Sequence, residues 1–226
     1  MNRQAIIFDM DGVIVDTEFL DFQIQKEFIN NLNGTQVTDE TLDYSVLVGR
    51  SYDDLYRTMQ TFIKQQYSLV ELKELFQHFN AKRYCQLDYP SLFRKDIVSI
   101  LQKAKQQERL LAVASSSEHA HILEVLEACG IVDYFDVIYS GEFVKESKPH
   151  PEIYLNTLTK LGVLPEQAIA IEDSPHGIRA AKGAGIQTIA FEETRMNIDQ
   201  SEADYLGGNM IEIRGIIDEH FGNMNN

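Results

Sequence analysis

Short apolar runs separated by helical stretches constrain this chain more than any other feature of its sequence. Ala5-Ile6-Ile7-Phe8, Leu110-Leu111-Ala112-Val113-Ala114 and Ala168-Ile169-Ala170-Ile171 carry no polar alternation. That is the pattern of strands buried on both faces. Residues 135–139 read as a further short strand, and 188–191 as another. Helical patterns fill the gaps between them. One runs through Ile97, Ile100, Leu101 and Ala104, and a second through Ile122, Val125 and Leu126 to a closing Gly130. A third starts at Pro151, carries Ile153, Leu158 and Leu161 and stops at Gly162, and a fourth spans 175–184 before Gly185. Strand and helix in alternation predict a parallel, doubly wound sheet, so the expected fold class is α/β.

One segment breaks the alternation. From Glu18 to about Leu87 every signal has helical period. Leu20, Ile24, Phe28 and Leu32 recur every four residues before Asn33-Gly34, and Leu55, Met59, Phe62 and Ile63 share one side of 54–64. Ser68 and Glu71 have capping-box spacing ahead of Leu72, Leu75, Phe76 and Phe79. A lone strand before such a block finds partners only in the later sheet, so the block is an insert. The expected division is a Rossmann-like core of residues 1–16 and 90–226 with an all-helical cap at 17–89. The cap is placed as a lid on the side where the first strand ends, hinged near Asp16-Thr17 and Asp88-Pro90. The asparagine-rich end, 222–226, is expected to fray.

Charge and composition exclude several classes. A formal net charge of −15 argues against nucleic acid, whose phosphates need clustered Lys and Arg. It also means that an anionic substrate must be met by a local patch or a cation. No apolar segment approaches the roughly 18 to 20 residues that span a bilayer, and residues 1–4 run straight into the first strand. No membrane association and no signal peptide are expected. Cys85 and Cys129 are too few for a disulfide framework or a zinc site, which points to a cytoplasmic chain. A monomer is expected.

Candidate chemistry gathers at strand ends. Asp9 and Asp11 follow the first strand, Ser115 the second apolar run and Glu172-Asp173 the third, while Lys148 lies in a loop after another strand. In open α/β sheets ligands bind beyond the carboxyl ends of strands. Four carboxylates in one crevice raise each other's pKa unless a cation sits among them. An oxygen-only donor set selects a hard ion such as Mg2+. With the repulsion cancelled, a carboxylate can attack phosphorus to give an acyl phosphate. The second aspartate can protonate the leaving oxygen and then deprotonate the hydrolytic water.

The sequence resembles the haloacid dehalogenase superfamily of phosphotransferases, in the branch of β-phosphoglucomutase and the small sugar-phosphate phosphatases. Asp9-Met10-Asp11-Gly12-Val13 resembles the first motif of that family and Ser115 the second. Lys148-Pro149-His150-Pro151 resembles the third, and Glu172-Asp173-Ser174 with Gly177 the fourth. The resemblance implies Asp9 as nucleophile, Asp11 as general acid/base, and Ser115 and Lys148 as binders of the phosphoryl group. It implies Mg2+ held by Asp9, the Asp11 carbonyl and Asp173, with Glu172 ligating directly or through water. It also implies a helical cap that sets specificity.

Substrate contacts are expected from Gly49, Arg50, Ser116 and His119. Arg50 can contribute a cation or be a solvated cap residue, and His119 can donate near the serine run or lie on the surface. Where β-phosphoglucomutases carry a histidine, an arginine and a lysine, this chain has Asp21, Tyr52 and Glu118. The reading is therefore a Mg2+-dependent phosphatase for a small phosphorylated metabolite, a sugar or polyol phosphate. Its alternative is a β-phosphoglucomutase, and from another class, a phosphorylation-dependent binding module.

Overall fold

The sheet has six parallel strands in the order β3-β2-β1-β4-β5-β6, as the alternation of elements predicts. The strands are β1 (Ala5–Phe8), β2 (Leu110–Ser115), β3 (Val137–Ser140), β4 (Ala168–Glu172), β5 (Gln187–Phe191) and β6 (Tyr205–Gly207). This computed structural model describes residues 3–35, 42–50, 52–84 and 87–223. Strand order reverses at β1, because β2 and β3 lie to one side and β4, β5 and β6 to the other. A crevice opens at such a reversal, outside the carboxyl ends of the strands. Register brings those ends level: Phe8 pairs with Val113 of β2 and with Ile171 of β4.

Two apolar layers cover the sheet, and strand periodicity decides which residue joins which. Ile6 and Phe8 join Val113, Ile169, Ile171 and Ile189 beneath three helices. These are α5 (Ile97–Gln106), α6 (His119–Ala128) and α9 (Met210–Asn223). Ala5 and Ile7 point the other way, with Ala112, Ala114, Ala168 and Ala170, beneath α7 (Glu152–Leu161) and α8 (Pro175–Gly183). Alanine on that face lets its helices lie close, and Tyr154 and Leu158 fill the space left.

The end of the chain differs from expectation. β6 and α9 complete one more unit, and α9 includes Gly222 and Asn223, so the end predicted to fray is helical that far. Residues 224–226 lie outside the described part, as do Cys85 and Ser51 and the Tyr52 side chain.

Between Glu18 and Leu92 the described residues contain no strand. Helices α1 (Glu18–Leu32), α2 (Tyr52–Phe62) and α3 (Leu69–Tyr84) share a third apolar cluster built on Phe22, Phe28, Leu47, Met59, Leu72 and Phe76. Phe28 meets Phe76 edge-on with ring centroids 5.0 Å apart. The capping box forms as spaced: Glu71 N donates to Ser68 Oγ at 3.2 Å and Ser68 N to Glu71 Oε2 at 2.8 Å. Asn33 ties the end of α1 to that of α2, donating to Phe62 O and accepting from Lys64 N. A four-residue helix, α4 (Tyr89–Leu92), follows α3.

The chain leaves the sheet and returns to it side by side. Val15 bridges Phe93 in antiparallel fashion, Asp16 N donates to Leu92 O at 2.9 Å, and Arg94 N donates to Ile14 O at 3.0 Å. Asp16 is further held by Arg94 at 2.8 Å and by Arg195 at 2.7 Å.

This layering sets the size of core substitutions. Ile169→Ala, at a fully buried position, should cost about 2–5 kcal/mol in urea unfolding. Leu164→Ala, at a residue 58% exposed, should stay within about 0.5 kcal/mol. Equal losses would contradict the assignment of Ile169 to a packed layer.

Candidate active site

The turn after β1 is built so that two carboxylates leave it in different surroundings. Asp9 N still donates to Ile171 O at 2.9 Å, keeping Asp9 in line with the strand. The chain then folds back, with Val13, Ile14 and Val15 all donating to Met10 O. Gly12 has φ +78°, and a Cβ there would fall 1.9 Å from Asp173 Oδ2. A side chain at this position would therefore be strained and would strike the neighbouring carboxylate. Asp11 is held at both oxygens: Thr17 Oγ1 donates at 2.6 Å and Ser117 Oγ at 3.0 Å.

Lys148 enters from the loop after β3 and is almost wholly buried. Its ammonium donates to Asp9 Oδ1 at 2.8 Å, Glu172 Oε1 at 2.6 Å and Ala114 O at 3.0 Å, which uses all three of its donors. Tyr154 adds a hydrogen bond to Glu172 Oε1 at 2.5 Å. Glu172 Oε2, by contrast, is buried with no partner. Gly177 leaves room for it, since a Cβ there would sit 2.0 Å from that oxygen.

Asp9, Glu172 and Asp173 each offer an oxygen within 4.8 Å of the others, and all three are buried. Burial pushes the Asp9 carboxyl up to about 7, Glu172 adds to this, and Lys148 opposes it. Asp173 is pushed well above the usual carboxylate range by burial, then by Glu18, Asp9 and Glu172. Burial works against the charge on Lys148, but Asp9 and Glu172 outweigh it and hold the ammonium above its ordinary value. Three carboxylates against one ammonium, with one oxygen unpaired, is a site short of positive charge. An all-oxygen cluster of this kind fits a hard divalent cation.

A cavity of about 90 Å³ opens over these groups. The structure brings Asp9, Asp11, Ser115, Lys148 and Asp173 to it, with Ser116, Gly49 and Arg50. Arg50 Nε donates to Val46 O, which ties it back to its own segment. His119 is not brought in. As the first residue of α6 it packs its ring 5.4 Å from that of Phe143, and its N–H donates to Glu142 Oε2. Asp21 lines the cavity, whereas Glu118 faces a separate one. Burial, then Arg50 and Arg179, pushes His176 down to about 4.

Several groups at the site escape sequence reasoning. Thr17 and Ser117 orient Asp11, and Tyr154 supports Glu172. Glu18 lines the cavity and accepts from Gly49 N at 2.8 Å. Burial, then Asp21 and Asp11, pushes its carboxyl up to about 8. Gly49 has φ +71°, and a Cβ there would meet Ser174 at 2.5 Å, so the helical segment touches the start of α8 backbone-first. The only sequence signals were the serine run for Ser117 and the position directly after the first motif for Thr17 and Glu18.

Comparison with known proteins places this arrangement among relatives. The family model for haloacid dehalogenase-like hydrolases matches residues 6–191. A phosphorylated carbohydrates phosphatase of Thermotoga maritima is 31% identical, with 82% of this chain and 83% of that protein covered. Hexitol phosphatase B of Escherichia coli is 30% identical, with 82% of each covered. The crystal structure of β-phosphoglucomutase from Clostridium difficile superposes with a TM-score of 0.79 over 99% of this chain and 100% of that one. At 24% identity it shares the fold.

The buried cluster has a signature in metal-chelated protein. Asp9 titrates near 7 when folded against an ordinary 3.8, so between those values the folded state holds a proton that the unfolded chain has lost. Stability from this group therefore falls as pH rises through that window. Wild type should lose stability relative to Asp9→Asn between about pH 4 and pH 7, read by chemical unfolding at each pH. A difference that stays flat with pH would show that Asp9 does not sit in this environment.

Proposed function

The chain belongs to the haloacid dehalogenase-like hydrolase family, and on that premise we propose that it is a phosphatase, hydrolysing a sugar or polyol phosphate through an aspartyl phosphate on Asp9, with Mg2+ as cofactor. The observation that carries this reading is the Lys148 bridge between Asp9 and Glu172, beside the unpaired Glu172 Oε2. It fixes one oxygen of Asp9 at the head of the crevice and leaves the site with unsatisfied negative charge.

In the first half-reaction an Asp9 oxygen forms a bond to phosphorus while the bond to the alcohol oxygen breaks. Asp11, set by Thr17 and Ser117, delivers the proton that the leaving oxygen takes. In the second, water attacks the same phosphorus, gives its proton to Asp11, and frees phosphate and the Asp9 carboxylate. Ser115 and the charge on Lys148 face the transferring phosphoryl group from the cavity wall. Asp9, Glu172 and Asp173, with the Asp11 carbonyl, would hold the ion, and its charge offsets the repulsion between carboxylate and phosphate.

Residues 17–89 act in this reading as a cap over the core of 1–16 and 90–226. What supports it is that Glu18, Gly49, Arg50 and Phe76 of the helical segment share one small cavity with the strand-end residues. Closure would exclude water while the acyl phosphate forms, with hinges near Asp16-Thr17 and Asp88-Pro90. The mutase reading is weakened by Asp21, an acid that lines the cavity where a bisphosphate would need cations.

Asp9→Asn should abolish phosphate release, and Asp11→Asn should slow it about 10²–10⁴-fold, as loss of general acid/base catalysis does. Substantial turnover by Asp9→Asn would remove Asp9 as the nucleophile. Chelation should stop the wild type, and added Mg2+ should restore it. With β-glucose 1-phosphate and a trace of bisphosphate, free phosphate is the expected product, while glucose 6-phosphate would establish the mutase instead.

A further inference from the structure

Phe76 of α3 is a wall common to two cavities. The one over Asp9 measures about 90 Å³, and the other, between α2 and α3 on one side and α4 and α6 on the other, about 480 Å³. Sites for small metabolites run to about 300–1,000 Å³, so the first suits a phosphoryl group and the second a carbon skeleton. Tyr56, Phe76 and Tyr89 give the larger space aromatic walls.

Asn80, one helical turn beyond Phe76, lines the larger cavity. It is 2% exposed, and neither its Nδ2 nor its Oδ1 has a partner. A buried amide left unpaired is costly and calls for an occupant that both accepts and donates. A hydroxyl does both. On the other side of Phe76, in the smaller cavity, the buried Gln25 Oε1 is likewise unpaired. Unsatisfied amides thus flank one aromatic partition. The charges around the larger cavity are mixed, Lys73 against Glu118 and Glu124, which suits a neutral polyhydroxyl group better than a second phosphate.

We propose that the larger cavity receives the polyhydroxylated carbon chain of the substrate, which passes Phe76 and hydrogen-bonds through a hydroxyl to the Asn80 amide. This rests on the phosphatase reading above and names the part of the molecule that selects the substrate. Asn80 is a specificity residue here and takes no part in the bond changes at phosphorus.

The test compares phosphate release from a hexitol 6-phosphate and from acetyl phosphate, whose leaving group is too short to pass Phe76, using the full chain with Mg2+. Asn80→Leu should lower the hexitol-to-acetyl ratio of kcat/KM about tenfold, chiefly through KM for the hexitol phosphate. Its melting temperature should hold or rise, since the substitution removes an unpaired buried amide. Asn80→Asp, close in size but without the amide donor, should lower the ratio too, and it serves if the leucine variant does not fold. In the wild type, kcat/KM should climb from two-carbon to six-carbon polyol phosphates. An unchanged ratio in either folded variant, or no dependence on chain length, would overturn the cavity assignment while leaving the phosphatase reading intact. No phosphate from any carbohydrate phosphate would overturn both.

Discussion

One buried ammonium holds the centre of this molecule together. Lys148 reaches from the loop after β3 to the ends of β1, β2 and β4 at once, through Asp9, Ala114 and Glu172. An ionised carboxylate placed in the interior without compensation costs several kcal/mol. Lys148 compensates for one charge, whereas Asp9, Glu172 and Asp173 together carry three when ionised. The imbalance explains why burial and mutual repulsion lift Asp9 and Asp173 so far, and why a cation is the natural complement of the site. The sheet supplies the rest: central β1 and its level register place the three strand ends close enough for one side chain to span them.

The chain as a whole works against its substrate. With a formal net charge of −15, its long-range field repels phosphate. At physiological ionic strength, however, charges farther than about 8 Å away are largely screened. What an arriving phosphate meets is therefore decided by the residues lining the crevice. Carboxylates outnumber Lys148 and Arg50 there, so the crevice calls for a cation before it can admit a phosphate, and the acidic exterior serves mainly to keep the molecules apart from one another.

Sequence legibility follows burial. β1, β2 and β4 could be read because strands covered on both faces are continuous apolar runs, and the polar residues ending those runs stood out for that reason. β6 could not: it has three residues, Tyr205 and Leu206 are exposed, and an edge strand shows no such run. α9 has a helical stripe in Met210, Ile213, Ile217 and Phe221, but no apolar run announces the strand before it. The convergence of Asp9, Lys148 and Glu172 was legible because Asp9 and Glu172 close apolar strand runs and Lys148 lies in the loop after another strand. Thr17, Ser117 and Tyr154 were not, since their bonds depend on how a turn closes and which way a helix faces. His119 is the converse case. Near the serine run in sequence, it opens α6 and packs on Phe143 instead.

The pairing of Val15 with Phe93 reaches beyond the present substrate. It fastens the exit and the return of the helical segment to each other, with Asp16 N on Leu92 O and Arg94 N on Ile14 O. The excursion is thus a closed bight tied off at its neck, and the sheet senses only the knot. Doubling the length of such a bight costs only about 0.6 kcal/mol in closure entropy. Helices within it are free to be lengthened, trimmed or exchanged over generations while the strand ends hold their register. A fold tied in this way can trade one clientele for another without relearning its chemistry.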